Sequence, residues 1–466
     1  MSVIRNFVLL FVFVLTSCQD LVDDINENPN EPTNVRPELL LKGMGLANIT
    51  IQVSHVQRIS GMWSGQYIGS EQLYQSLYEY NINAAETNDT WEAIYVGVLK
   101  QGSLIKEGLP GDRLFQGITK IIEAHAVGTA AAIFGDIPYF QAANDEQFPD
   151  PEFDGQRQVY DALQDLLDEA IIDLQNAAPG RELDEDIFFQ GNAEQWTEVA
   201  YTLKARYHLH TKQYDLAYAA AQNGVSSGAN SMKYVPLGVV GEGDSNLLNT
   251  FISNRGDFMT SSGSFLEGML DVTSDASRNN TKTYEEARAN YYYIEGGRAT
   301  GEQGVAAQTA PMPLVLYEEN LLILAEAAAR TVSFDEGLVH LNAIRNFLNS
   351  GAAFPLIEDS DSLLYEAYEA ADFEPGGLEN TGNIDPTRAL LREIIEERYV
   401  TGYGQFIPFN DARRLRRSDQ DIAVPIPLNT PEATQQPERF LIAQDEINAN
   451  SNADDPGIFA VTPVNQ

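Results

Sequence analysis

Five histidines, one cysteine and 68 aspartates and glutamates are the chain's obvious stock of reactive side chains. His55, His125, His208, His210 and His340 show no zinc-type spacing such as His-Glu-x-x-His. His208-x-His210 sets two rings on different faces of a helix, as satisfied surface histidines sit. No Gly-x-Ser-x-Gly elbow is present to hold a nucleophile. A glycosidase needs two carboxylates at a set separation, but so many acids make such pairs inevitable and uninformative. The Asp-rich loops lack the regular calcium-loop pattern, and the cluster Arg413-Arg414-Leu415-Arg416-Arg417 is expected to pair with surface acids rather than bind phosphate. No catalytic residue, metal site or cofactor is expected.

The residues better placed to do chemistry are aromatic, and their chemistry is binding. A ring stacked on a sugar or peptide face buries apolar area at low side-chain entropy cost. Gly61 to Tyr95 holds seven aromatics in 35 positions, about twice the chain average. Trp63, Tyr67 and Tyr95 fall at helical spacing and are expected to pack inward. Tyr74, Tyr78 and Trp91 flank the polar stretches Gly69-Ser70-Glu71-Gln72 and Asn83 to Asp89, and are the favoured platforms. Tyr291-Tyr292-Tyr293, read as a strand, alternates faces, so at least one ring is expected to be exposed. The candidate ligand-binding residues are Trp63, Tyr67, Tyr74, Tyr78, Trp91, Tyr291, Tyr292 and Tyr293, on loops spanning about 68–90 and 235–313.

Helices must carry these loops. Phe115 to Ile133 is an alanine-rich helical run ended by Gly135 and Pro138. Val159, Leu163, Leu166, Leu167, Ala170 and Leu174 recur at helical spacing. Asn192 and Gln195 suggest a capping box opening a helix with Trp196, Val199, Leu203 and Tyr207 on one face. Tyr214-Asp215 starts its partner helix. Tyr317 to Ala328 is followed in the same way by Phe334-Asp335, and Phe153-Asp154 suggests a third such start. The predicted fold is all-α, with tetratricopeptide-like helical hairpins that do not meet that repeat's consensus residue by residue. Between the pairs, Val235 to Pro313 is rich in Gly, Ser and Asn and reads as a long irregular segment. Leu390, Leu391, Ile394 and Ile395 mark another helix, and the proline-rich end reads as coil.

The beginning of the chain sets the expected location. Arg5, the apolar run Phe7 to Leu15 and then Leu15-Thr16-Ser17-Cys18 read as a signal peptide over 1–17, too short to span a bilayer. Cys18, the sole cysteine, is the expected site of a diacylglycerol and palmitate anchor. Residues 18–37 form a polar tether, and 38–466 a single domain. The early acids Asp20, Asp23, Asp24 and Glu27 read equally as an export signal or as a solvated linker. With 29 basic against 68 acidic residues the charge is −39, so phosphate backbones are repelled and nucleic acid is not an expected partner.

Several segments together resemble the SusD/RagB family of outer-membrane lipoproteins, in its SusD-like branch. They are Asn28-Pro29-Asn30, Trp63-x-x-Gln66-Tyr67, Phe134-Gly135-Asp136-Ile137-Pro138-Tyr139, Leu203-Lys204-Ala205-Arg206, Leu324-Ala325-Glu326-Ala327, Glu397-Arg398-Tyr399, Asp411-Ala412-Arg413-Arg414, Pro437-Glu438-Arg439-Phe440 and Glu446-Ile447-Asn448. Each is weak alone, and their order is specific. Two stretches depart from the pattern: Val424-Pro425-Ile426-Pro427 with Pro437-Glu438-Arg439 is looser than the family's arginine-rich close, and Asp275-Ala276-Ser277-Arg278 lacks the usual Asp-Pro-Arg. The resemblance implies a non-catalytic lid on a SusC-like TonB-dependent transporter. It further implies lipid anchoring at the outer membrane, facing outward, and capture of an oligosaccharide or peptide. The alternative is a surface hydrolase or adhesin on the same scaffold.

Overall fold

The computed structural model describes residues 36–144, 146–238, 244–294 and 303–466. The leader, Cys18, nearly all of the tether and the pair Gly296-Gly297 lie outside the described residues. Helices dominate, as expected. In chain order those that matter below are α1 (Pro37–Val53), α2 (His55–Trp63), α3 (Gln72–Tyr78), α4 (Arg113–Phe134), α5 (Gln156–Gln175), α6 (Ala193–His210) and α7 (Tyr214–Ala221). They are followed by α8 (Leu247–Arg255), α9 (Phe265–Leu270), α10 (Glu286–Tyr292), α11 (Tyr317–Thr331), α12 (Phe334–Asn349), α13 (Pro386–Thr401) and α14 (Ile407–Leu415). None among the described residues is long and apolar enough to cross a membrane.

The core is built on α4, in which every residue but Arg113 and Lys120 is buried. Asp112 caps its start by accepting the Phe115 N–H, and Gly135, at φ +85°, ends it. So total a burial requires neighbours on all sides, and α1, α5 and α6 supply them. Helix pairs α4–α5, α6–α7 and α11–α12 pack as the expected hairpins. The aromatic-Asp steps at Tyr214 and Phe334 do open α7 and α12. Phe153-Asp154 does not: α5 begins at Gln156, and the Asp154 carboxylate instead accepts the N–H groups of Tyr139 and Phe140. At α6 half of the capping box forms. Asn192 accepts the Glu194 and Gln195 N–H groups, while the Gln195 side chain reaches Ala229 and Asn230.

The segment 235–313 is more ordered than expected, since it contains α8, α9 and α10. Helices of nine residues or fewer complete too few turns to show a period. Three two-stranded antiparallel ladders stitch the segment down. β2 (Met232–Tyr234) pairs with β5 (Met312–Val315) and closes its neck. β1 (Ile68–Gly69) pairs with β3 (Met259–Thr260), and β4 (Thr283–Tyr284) with β6 (Leu364–Tyr365).

Buried charge does the rest. Arg414 forms a two-pronged pair with Glu326 at 2.7 and 2.8 Å, and Asp411 bridges Arg414 to Arg398 at 2.9 and 2.8 Å. A second network joins Arg288 to Glu397 and Glu285 at 2.9 and 3.0 Å, and Arg278 to Glu393 and Glu397 at 2.9 and 3.1 Å. It ties α13 to the middle segment. Arg414 therefore pairs with acids as expected, but in the interior rather than at the surface, because α14 is enclosed by α2, α6 and α13. The equally buried Arg413 donates instead to the Ala132, Phe409 and Glu438 carbonyls, while Arg416 and Arg417 pair with the Glu438 carboxylate at 2.6 and 2.9 Å. Arg206 of α6 likewise grips Glu319 of α11 at 2.6 and 2.7 Å. Arg278, despite the missing proline before it, is buried in the second network.

Candidate ligand cleft

Helix α3 is short, seven residues, and is held by unusual backbone at each end. Gln72 opens it at φ +49° and Tyr80, two residues past its end, lies at φ +67°. Bulky side chains rarely adopt this left-handed region, at a cost of about 1–3 kcal/mol each, so neighbouring contacts must enforce it. For Tyr80 they are visible: its ring meets Trp63 edge-on at 6.3 Å, and its hydroxyl accepts the Asn429 N–H at 3.0 Å. The Asn429 side-chain amide then donates to the Met62 and Tyr78 carbonyls at 3.1 and 2.9 Å. One asparagine thus pins the late proline-rich segment to the ends of α2 and α3. Gly69 makes the packing of α3 onto β1 possible, since a Cβ there would stand 2.0 Å from the Tyr74 carbonyl oxygen.

Between α3 and the late segment lies an open cleft of about 730 Å³. The half-buried Tyr78 and the exposed Phe459 (41%) supply rings. Asn81, Thr430, Glu432 and Thr434 supply polar edges. An open groove lined by aromatic rings and by amide, hydroxyl and carboxylate groups can stack and hydrogen-bond an extended polar molecule. The described residues contain no cluster of three or more potential metal ligands.

The other aromatic candidates sit elsewhere. Trp63 and Tyr67 are core residues: Trp63 stacks on Phe440 at 4.6 Å and donates its indole N–H to the Leu77 carbonyl, and Tyr67 packs against Tyr403 at 5.2 Å. Tyr95 is half-buried, its hydroxyl donating to the Pro138 carbonyl at 2.9 Å. The exposure expected of Tyr74 and Trp91 is corrected, for they are only 4% and 5% exposed. Tyr74 lies 4.8 Å from the Phe251 ring, and its hydroxyl is held by His55 and Arg58. Trp91 is enclosed by Tyr95, Phe134 and Phe153, and its indole N–H donates to Glu446. Both rings are covered by residues distant in the chain, which local spacing does not reveal.

The tyrosine triplet is corrected too. Tyr291 and Tyr292 belong to α10 and are buried, Tyr292 stacking on Tyr403 at 4.4 Å, while Tyr293 is the half-buried residue just past the helix. His210 is likewise no surface residue. It is buried against the Tyr160 hydroxyl at 3.0 Å, and burial, aided by Arg206, holds its pKa well below the ordinary value. His55, partly buried, is also lowered, by burial first and then Arg58, against the opposing Glu86 bond. Of the cleft residues named above, Tyr78 alone is a candidate from the sequence. Phe459 and Asn429 lie in the coil-like end, far from Tyr78 along the chain, and no local pattern marks them.

A sequence profile of the SusD-like family described as starch-binding, associating with outer membrane, matches residues 29–403. No curated protein matches. Among solved structures, a SusD/RagB family protein from Bacteroides thetaiotaomicron is 18% identical with a TM-score of 0.67, the alignment covering 90% of this chain and 95% of that one. A chitin-binding protein is 20% identical with a TM-score of 0.64, covering 89% and 94%. A chitin-binding SusD homolog from Flavobacterium johnsoniae is 17% identical with a TM-score of 0.64, covering 91% and 98%. At these identities the structures speak for the fold, while the profile spans most of the chain. The chain belongs to the SusD/RagB family.

Proposed function

We propose that this protein is a cell-surface binding lipoprotein that captures an oligosaccharide in the cleft beside Tyr78 and passes it to a SusC-like TonB-dependent transporter in the outer membrane. The observation that carries the reading is the open cleft, lined by the rings of Tyr78 and Phe459 together with polar side chains. Sugar rings offer flat C–H faces to such aromatics and hydroxyls to such edges. The chitin-binding relatives favour a glycan over a peptide. The protein holds the ligand and does no chemistry on it.

Calorimetric titration with chitin, starch and peptide oligomers tests this. Tyr78→Ala and Phe459→Ala are each expected to weaken glycan binding about tenfold, since a lost stacking contact is worth about 1 kcal/mol or somewhat more. Unchanged affinity in both variants would remove the cleft from the proposal, and turnover of the bound oligomer would replace binding with hydrolysis.

The anchor has its own test. Cys18→Ser is expected to move the protein from the membrane to the soluble fraction with no change in its melting temperature, because removing an acyl anchor removes the main hold on the bilayer. Retention in the membrane fraction contradicts a lipid anchor at Cys18.

A further inference from the structure

A second, more enclosed pocket lies between α10 and the start of α11, distinct from the cleft. It offers about 80 Å³ to water and reaches the surface beside the exposed Ala352. Its walls include the rings of Tyr291, Tyr292, Phe347 and Phe354. Two polar groups line it without a hydrogen-bond partner among the described residues. One is Oε2 of Glu318, a residue only 8% exposed, and the other is the Nε–H of Arg288, which is 0% exposed. Buried polar groups are nearly always paired, so each such exception calls for an explanation. The guanidinium of Arg288 already spends its terminal nitrogens on Glu285, Glu397 and Thr401. What remains is one donor and one acceptor in a space walled by aromatic rings.

We infer that this pocket binds a secondary amide bearing a small apolar group, of which an acetamido group is the smallest form. Its carbonyl accepts the Arg288 Nε–H, its N–H donates to Glu318 Oε2, and its methyl packs among the rings. A free hydroxyl of similar size lacks the apolar part, and a free ammonium meets Lys233 and Arg288. The amide can come from an N-acetylated sugar or from a peptide, and the pocket chemistry is the same for both.

The groups acting on Glu318 also make binding depend on pH. Burial holds its pKa up near 7, with Glu319 adding to the rise, while the backbone N–H of Glu318 and the charges of Lys233 and Arg288 oppose it. Tyr291 and Tyr292 also feel this carboxylate, and their own pKa values are raised, chiefly by burial, so they stay neutral here. An amide N–H binds the carboxylate better than the acid, since a charged acceptor makes the stronger bond. Affinity should therefore rise from pH 6 to pH 8.

Titrations on the full chain in a Tyr78→Ala background, so that the cleft is weakened, use N-acetylglucosamine, glucosamine, glucose and N-acetylalanine methylamide. The expected result is binding of the acetylated sugar, the peptide mimic or both, at least tenfold tighter than glucosamine or glucose; which of the two binds names the source. Glu318→Leu is expected to lose at least tenfold. It removes a buried carboxylate whose Oε2 has no partner among the described residues, so the fold is retained. Glu318→Gln keeps an acceptor and should keep binding while losing the dependence on pH. Equal affinity for glucose, full binding by Glu318→Leu, or no detectable binding of any amide, leaving the pocket to water alone, each overturns the inference.

Discussion

Glu397→Ala is expected to lower folding stability by about 3–5 kcal/mol, the usual cost of breaking a buried ion pair from one side. Glu397 is 0% exposed and shared between Arg278 and Arg288, with the Thr401 hydroxyl as a third donor at 2.8 Å. Deleting it leaves two buried guanidiniums to Glu285 and Glu393. The midpoint of urea unfolding measures the loss. A drop under 1 kcal/mol would mean that the remaining carboxylates suffice. The same group sets a pH signature. Burial alone would raise its pKa, but Arg288 and Arg278, with the Thr401 bond, hold it down at about 2. A depressed carboxylate stabilises the fold fully above its unfolded value, roughly 4.3, and the contribution disappears as pH falls through 2. Acid unfolding of the variant should therefore be less steep between those values than that of the parent.

Gly69→Ala is the second large effect, and it separates architecture from contact. A methyl 2.0 Å from the Tyr74 carbonyl oxygen and 2.9 Å from the Tyr78 Cβ meets main chain as well as side chain, so α3 must move or the β1–β3 ladder must open. The expected loss is about 3 kcal/mol, at the upper end of overpacking costs, together with the ligand affinity of the cleft. Tyr78→Ala should reduce affinity at nearly unchanged stability, since that side chain is half-buried. Were Gly69→Ala to bind and melt like the parent, α3 would be free to slide, and the geometry of the cleft could not depend on it.

Much of the scaffold is legible in the sequence because helix periodicity and caps are local. The run that becomes α4, the Asn192 cap and the paired helices at Tyr214 and Phe334 all follow from residues within a few turns. The motifs that carry the family resemblance are legible for a different reason. Glu326, Arg398, Asp411 and Arg414 prove to be partners in one buried network, and Glu397 belongs to another. Their spacing marks the framework of the fold rather than its binding site. The cleft is the least legible part. Tyr78 could be nominated from the polar turns beside it, but Tyr74 and Trp91 carry the same local signature and are buried by partners such as Phe251 and Glu446 that no window around them contains. The triplet of tyrosines at the end of α10 suits a strand as well as a helix, and the packing of Tyr292 against Tyr403 decides it.

The hold of Asn429 and Phe440 on the first helices bears on the order of assembly. Trp63 finds its stacking partner, and the ends of α2 and α3 the side-chain amide of Asn429, only late in the chain. Contacts between distant positions carry a loop-closure cost before they return any stability, and they slow folding. A nascent chain lacking that stretch leaves the Trp63 ring without its stacked partner and the Tyr78 carbonyl without its Asn429 donor beside the cleft. The proposed ligand groove is thus among the last parts to close, and a chain that stops before Asn429 is not expected to present it.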